Sequence, residues 1–499
     1  MKFSIPSLFL FSILSFQLIS CKPAQNKTSN KLNLKIDSIE TLKNESKYPY
    51  LYVGKINLEH FIKLKNDITI LHLTSDKISA SASFGGAIKK AYELLSIDFY
   101  PKRFYDLNKN NGKIISHGVL IPSEDTVFVR LKQENYDPKD ITEWEPKKRK
   151  ELSQHFASLN LEYSDLEKHL DTVYNLAKND TTITKDFKDQ NILLEKIIFN
   201  AMLGYAEEID PHTKVYDAKE IKTETSFNVL NNISHRVFPG YPDILYLKIK
   251  NFLQFNDKFT IASAAKKIIE HELNEKKKNQ NTVGALLIDL RESEQANLIE
   301  LRKFLSLLIS SKNLFSIKNR YEENIYPSFK GDAIVWDGPI GILVGPKTTA
   351  GGELVAGSLR ENKNAIILGS RTFGQGTFQM FFEVGTKTGY FYAITNSKMY
   401  LPSGEEIQGF GIIPDINIDD PNKASNIPHE TKFWNWIKPT KDKNPYIPKN
   451  IQSKLDERLK QNSTSNGLFA EENPLDLDPV LTESVDYFKT YLSMMKELK

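Results

Sequence analysis

At 499 residues, with 40% hydrophobic and 26% charged residues of mixed sign, the chain is long enough for two or three packed domains, and this balance excludes wholesale disorder. A net charge of +3 over that length gives no general drive toward nucleic acid, and Lys-rich runs such as NEKKKNQN (274–281) read as solvated loops. No nucleic-acid partner is expected.

The chain opens MKFSIPSLFLFSILSFQLISCKP: a basic Lys2, a short apolar run, and the only cysteine, Cys21, directly after Leu18-Ile19-Ser20. The run falls short of the ~20 apolar residues a membrane span needs and is interrupted by Pro6 and Gln17. The order resembles a bacterial lipoprotein signal. The resemblance implies that residues 1–20 are cleaved, that Cys21 is acylated, and that the protein sits in the cell envelope, held to a membrane by lipid. The membrane is either the outer membrane or a periplasm-facing one; Lys22, rather than aspartate, after the cysteine favours the outer membrane by analogy with lipoprotein sorting in some bacteria. With Cys21 committed to lipid, no cysteine is left for a disulfide.

Residues 21–47, rich in Asn, Lys, Ser and Thr, read as a flexible tether. Residues 48–140 read as a small mixed α/β region: YPYLYVGKI and HGVLIPSEDTVFVRLK carry β-type residues around a helical SFGGAIKKAYELL. Residues 141–225 read as a helical module, with Leu166, Leu170, Val173 and Ala177, then Leu194, Ile198, Ala201 and Tyr205, at helical spacing. Residues 226–420 alternate short apolar runs (ILYLKI, VGALLIDL, IGILVG, AIILG) with amphipathic helices, the signature of βαβ units around a largely parallel sheet, followed by a hairpin from FQMFFEV and GYFYAIT. Residues 421–499 read as a polar, Pro-rich linker closed by a helix whose Val485, Phe488, Leu492 and Met495 line one face.

In such a sheet, reacting groups gather where strands end and helices begin. IGILVGPKTTAGGELVAGSL offers such a place, with position 350 at a helix N-terminus. The glycines of ILGSRTFGQG let a second loop come close. These residues resemble the C-terminal processing (tail-specific) serine peptidases: AGGELVAGSL (350–359) and GSRTFGQG (369–376) match the dyad-bearing segments, and MYLPSGEEIQGFGIIPDINI (399–418) and AEEIDPHTKVY (206–216) match two further motifs. The resemblance covers roughly residues 194–420 and implies an α/β, ClpP/crotonase-like core. It also implies a polypeptide as substrate or partner, and no cofactor or metal.

The family's nucleophile is a serine three residues before the motif glutamate, Glu353, and its general base is a lysine about 25 residues later. Those positions hold Ala350 and Gln375. An acidic residue that the family often places near the dyad falls at about Glu361, which reads here as a surface helix residue. Alanine carries no nucleophile, and glutamine has no titratable group with which to move a proton. The Gly-rich turn expected to contribute to the oxyanion hole is replaced by Glu292-Ser293-Glu294-Gln295-Ala296-Asn297, although Asp289 and Arg291 before it are kept. From His212 about 30 residues precede ILYLKI, too few for the PDZ domain that members carry there.

The function expected is therefore a non-catalytic, envelope-located homologue that binds polypeptide or scaffolds a partner. The alternative is an active peptidase using replacement residues, with Thr349 or Thr348 as substitute nucleophile. The plainer reading of Thr349 is a helix cap. SASAS (79–83) reads as a small-residue helix start, DLNKNNGKI (106–114) as a turn rather than a calcium loop, and His212 as a structural hydrogen-bonding residue.

Overall fold

The computed structural model describes residues 36–101, 112–114, 126–131, 146–218, 229–240, 242–253, 260–278, 283–330, 333–420, 429–440, 451–463 and 478–497. The expected signal segment, Cys21 and most of DLNKNNGKI lie outside the described residues.

The sheet that positions the site has six strands in the order Ile416–Asn417, Ile366–Gly369, Ile340–Val344, Val283–Asp289, Asp243–Ile249, Ile233–Phe238. Neighbours are parallel except the last pair, which is antiparallel. Its central strands are apolar, apart from Asp289 at the end of one, because both faces are covered. Alternate residues divide between two cores. Leu245, Leu286, Ile342 and Ile367 meet helices Ile261–Lys278, Leu298–Ser306 and Ala350–Lys363 on one face. Ile244, Leu287, Leu343 and Leu368 meet helices Gln452–Ser463 and Pro479–Glu497 on the other. The α/β class and the βαβ core read from the sequence hold.

A second sheet runs Glu323–Tyr326, Phe315–Lys318, Tyr390–Tyr400, Thr377–Glu383, with Lys214–Asp217 also paired to Tyr390–Tyr400. The long strand Tyr390–Tyr400 joins the molecule's halves: Tyr392 and Ile394 enter the core of the N-terminal helices, while Met399 enters the core under the Ala350–Lys363 helix.

Several expectations are corrected. The tether does not extend to residue 47: residues 39–45 form the helix Ile39–Glu45, capped by Ser38 and held by Asn66, which bonds both the backbone N–H and the carbonyl of Asp37. YPYLYVGKI is not a strand; Pro49 starts a short 3-10 helix, Pro49–Tyr52, where its missing N–H costs nothing. The mixed region and the helical module share one core, since helices Leu58–Leu71 and Ala80–Glu93 pack with Tyr163–Lys178 and Gln190–Glu207. Ser79 caps the helix that SASAS begins. The hairpin Phe315–Lys318 and Glu323–Tyr326 is additional, its strands too short for a periodic signal. The linker reading fails at residues 429–440, where Glu430 is fully buried. Met495 is exposed, lying beyond the part of its helix that covers the sheet.

Phe488 is the main anchor of the C-terminal helix, fully buried with its ring against Gly341 of the central strand, where any side chain would crowd it. Phe488→Ala is expected to cost ~3–5 kcal/mol, read as a lower midpoint in urea denaturation.

Candidate active site

The strand Ile340–Val344 ends in a turn that feeds Thr349, in extended conformation, into the helix Ala350–Lys363. Ala350 opens that helix with φ +39°, a conformation that costs a non-glycine residue about 1–3 kcal/mol and that marks a side chain held at a sharp strand-to-helix corner. The second loop, residues 370–376, leaves the neighbouring strand Ile366–Gly369 and folds back over the helix start, with Phe373 N–H bonded to Thr348 carbonyl at 3.1 Å.

Glu353 joins the two segments. Its carboxylate is fully buried and receives four donors: Ala350 N–H (2.9 Å) and Gln375 N–H (2.9 Å) on Oε2, Gly374 N–H (2.7 Å) and Thr372 Oγ1 (2.5 Å) on Oε1. Burial raises its carboxyl to about 8, against the opposing pull of Thr372, Gly374, Gln375 and Ala350. The structure thus brings positions 350 and 375 to the same carboxylate. Gln375 is buried, and its Oε1 has no hydrogen-bond partner among the described residues.

Glu361 is not part of this group. It lies three turns along the helix, bonded to Ser403 through the backbone N–H (2.7 Å) and Oγ (3.0 Å), with its carboxyl raised by burial. The acid beside the dyad positions is Glu353, whose place in the motif served in the sequence only to set the register. Thr348 and Thr349 are fully buried. Thr348 Oγ1 donates to Leu290 carbonyl at 2.7 Å, and Thr349 Oγ1 to Glu294 carbonyl at 2.7 Å. Thr349 therefore occupies the cap position without making a side-chain cap bond.

The loop that replaces the Gly-rich turn packs on the helix start. Ser293 carbonyl accepts Thr349 N–H at 3.0 Å, and a Cβ added at Gly351 would lie 2.1 Å from Ala296 Cβ. Arg291 is held by Asp289 (2.7 Å) and Asp478 (2.8 Å), so the retained Asp289 and Arg291 brace the loop's root.

Sequence reasoning missed a second chain of contacts reaching this loop. Gly376 N–H donates to Gln408 Oε1 (2.8 Å), Gln408 Nε2 to Glu430 Oε1 (2.9 Å), and Glu430 Oε2 meets His212 Nε2 (2.9 Å). His212 N–H and Thr213 N–H donate to Asp210, which also meets His72 Nε2 at 2.8 Å. Burial opposes ionisation of Asp210, but His72 and its other partners hold the carboxyl far below the usual range. His212 has the structural hydrogen-bonding role expected of it. His429 lies over Gly374, pushed down to about 4 by burial and by nearby Arg371. Gln408 stands in a quoted motif, whereas His429 and Glu430 follow a Pro-rich stretch with no motif to flag them. No group of three metal-ligating side chains forms among the described residues.

A helix-start corner and a folded-back glycine loop meet over one buried acid at the edge of the α/β core. A family model described as Peptidase family S41 matches residues 243–418. Residues 243–418, about a third of the chain, thus carry the domain of the C-terminal processing serine peptidases. It is 29% identical over 177 residues to carboxyl-terminal-processing peptidase 2, chloroplastic, of Arabidopsis thaliana (35% of this chain, 32% of that protein). It is 28% identical over 182 residues to a carboxy-terminal-processing protease of Bartonella bacilliformis (36% and 39%). The chain thus matches about a third of the length of these relatives. Among solved structures, a photosystem II D1 C-terminal processing protease aligns at TM-score 0.32 with 23% identity, covering 38% of this chain and 48% of that one, and no conclusion is drawn from so low a score.

Glu353→Gln places an amide N–H₂ against buried donors and is expected to cost ~2–4 kcal/mol near pH 6 by chemical denaturation. The folded carboxyl is raised, so its stabilising share is complete below the unfolded value near ~4.3 and is lost as pH rises through about 8. The gap between the two proteins should therefore narrow from pH 6 to pH 8.5.

Proposed function

We propose that this chain is a non-catalytic member of its family, an envelope lipoprotein that binds polypeptide or scaffolds a partner through the retained peptidase framework. The observation that carries the reading is the pairing of Ala350 and Gln375 on Glu353: the corner, the loop and their buried link are all kept, while neither reacting group is present. Loss of a serine-protease nucleophile typically removes about six orders of magnitude in rate, and what survives depends on the oxyanion hole and on substrate binding. Here the loop expected to supply the oxyanion hole is a non-glycine segment packed on the helix start.

Both substitute nucleophiles weigh against the alternative of an active enzyme. Each threonine hydroxyl donates its proton to a backbone carbonyl, and neither faces a base among the described residues. The envelope location rests on the order of residues around Cys21, and no described helix is long and apolar enough to cross a membrane.

The test is cleavage of an unstructured polypeptide such as casein by the purified chain, its Thr349→Ala variant and the Ala350→Ser/Gln375→Lys double variant. The unmodified chain is expected to show no turnover above buffer, with Thr349→Ala indistinguishable from it. Turnover by the unmodified chain that disappears in Thr349→Ala would overturn the proposal.

A further inference from the structure

Away from Ala350, Glu353 and Gln375, a cavity of about 760 Å³ opens between the N-terminal helices, the second sheet and residues 435–440. It falls within the ~300–1,000 Å³ range of ligand sites. Its walls include Ile78, Ile209 and Trp436. SASAS, which the catalytic framework does not use, supplies part of its edge through Ser79 and Ser83.

The charge around it is one-sided. Lys77, Lys318 and Lys438 are exposed lining residues, and none has an ion-pair partner among the described residues. The fourth lysine, Lys398, is buried and already satisfied by Glu406 (3.3 Å), the Lys438 carbonyl (3.0 Å) and Thr440 Oγ1 (3.2 Å). Three unneutralised cations around an apolar cavity call for an anionic occupant that also carries apolar surface.

The number of cations narrows the class. Glu208, the one acid in the lining, has an almost fully buried side chain that accepts from Arg149 at 3.2 Å, so it does not offset the lysines. A fatty acid or a free phosphate brings a single anionic group. A polypeptide brings several carboxylates spaced along one chain, together with apolar side chains.

We propose that this cavity is a docking site for an acidic, partly apolar polypeptide segment: its carboxylates pair with Lys77, Lys318 and Lys438, and an apolar side chain packs on Trp436. The site is separate from the degenerate centre, and the proposal stands whether or not that centre binds anything.

The test uses the full chain and fluorescence anisotropy with a labelled peptide of alternating Glu and Leu. Gln-for-Glu and Lys-for-Glu peptides serve as controls. Lys318→Glu/Lys438→Glu changes only exposed side chains and is checked for an unchanged melting temperature. The acidic peptide is expected to bind and both controls to fail. Binding should weaken at least ~tenfold in the double variant and again in 0.5 M NaCl, where the Debye length drops to a few ångström. Equal binding of the Gln peptide, no loss in the double variant, no binding of the acidic peptide, or its full displacement by equimolar octanoate or inorganic phosphate would each overturn the proposal.

Discussion

The buried carboxylate of Glu353 is the constraint on which the site depends. Two segments that are 25 residues apart, one starting a helix and one leaving the next strand, are fixed to each other because their N–H groups converge on one side chain. Orphan donors at a helix start need acceptors, and a loop folded over that start needs the same. A single glutamate in the first turns meets both needs and, being fully buried, permits little slack. This explains how positions 350 and 375 stay in register whatever side chains they carry. Glu353 maintains the geometry through backbone N–H groups, so changing the side chains of Ala350 and Gln375 leaves its bonds to their backbones untouched.

A second set of buried polar contacts ties the same loop to the N-terminal half. From Gly376 it passes through Gln408 and Glu430 to His212, and from Asp210 to His72 at the end of the helix Leu58–Leu71. Together with the long strand Tyr390–Tyr400, which enters two cores, it makes the helical region part of the site's support. Burying this many ionisable groups is tolerable only because they satisfy one another. The cost of breaking any link gives the framework a structural reason to persist independent of catalysis.

Much of the core was legible because it is periodic. The runs ILYLKI, VGALLIDL, IGILVG and AIILG are strands buried on both faces, and the helices between them carry one apolar side, so the βαβ reading needed no partner information. The meeting of positions 350 and 375 was legible because motif glycines and Glu353 set the register of the two segments. Legibility ended where local preference yielded to tertiary contact. Glu361 is acidic and in a helix, yet only the fold shows that it faces Ser403. Tyr-rich YPYLYVGKI has strand propensity, but Pro49 and the core contacts of Leu51 and Tyr52 turn it into a 3-10 helix. Glu430 sits in a stretch that reads as polar linker, and its partners Gln408, Phe373 and His212 all lie outside that stretch, the last of them more than two hundred residues away.

The central claim is that the framework persists without an acylatable group. The most direct measurement is intact-protein mass spectrometry after prolonged exposure of the purified chain to a fluorophosphonate, which adds covalently to an activated hydroxyl. The account predicts no stoichiometric mass increase. A single adduct mapped to Thr348, Thr349 or Ser293 would contradict it.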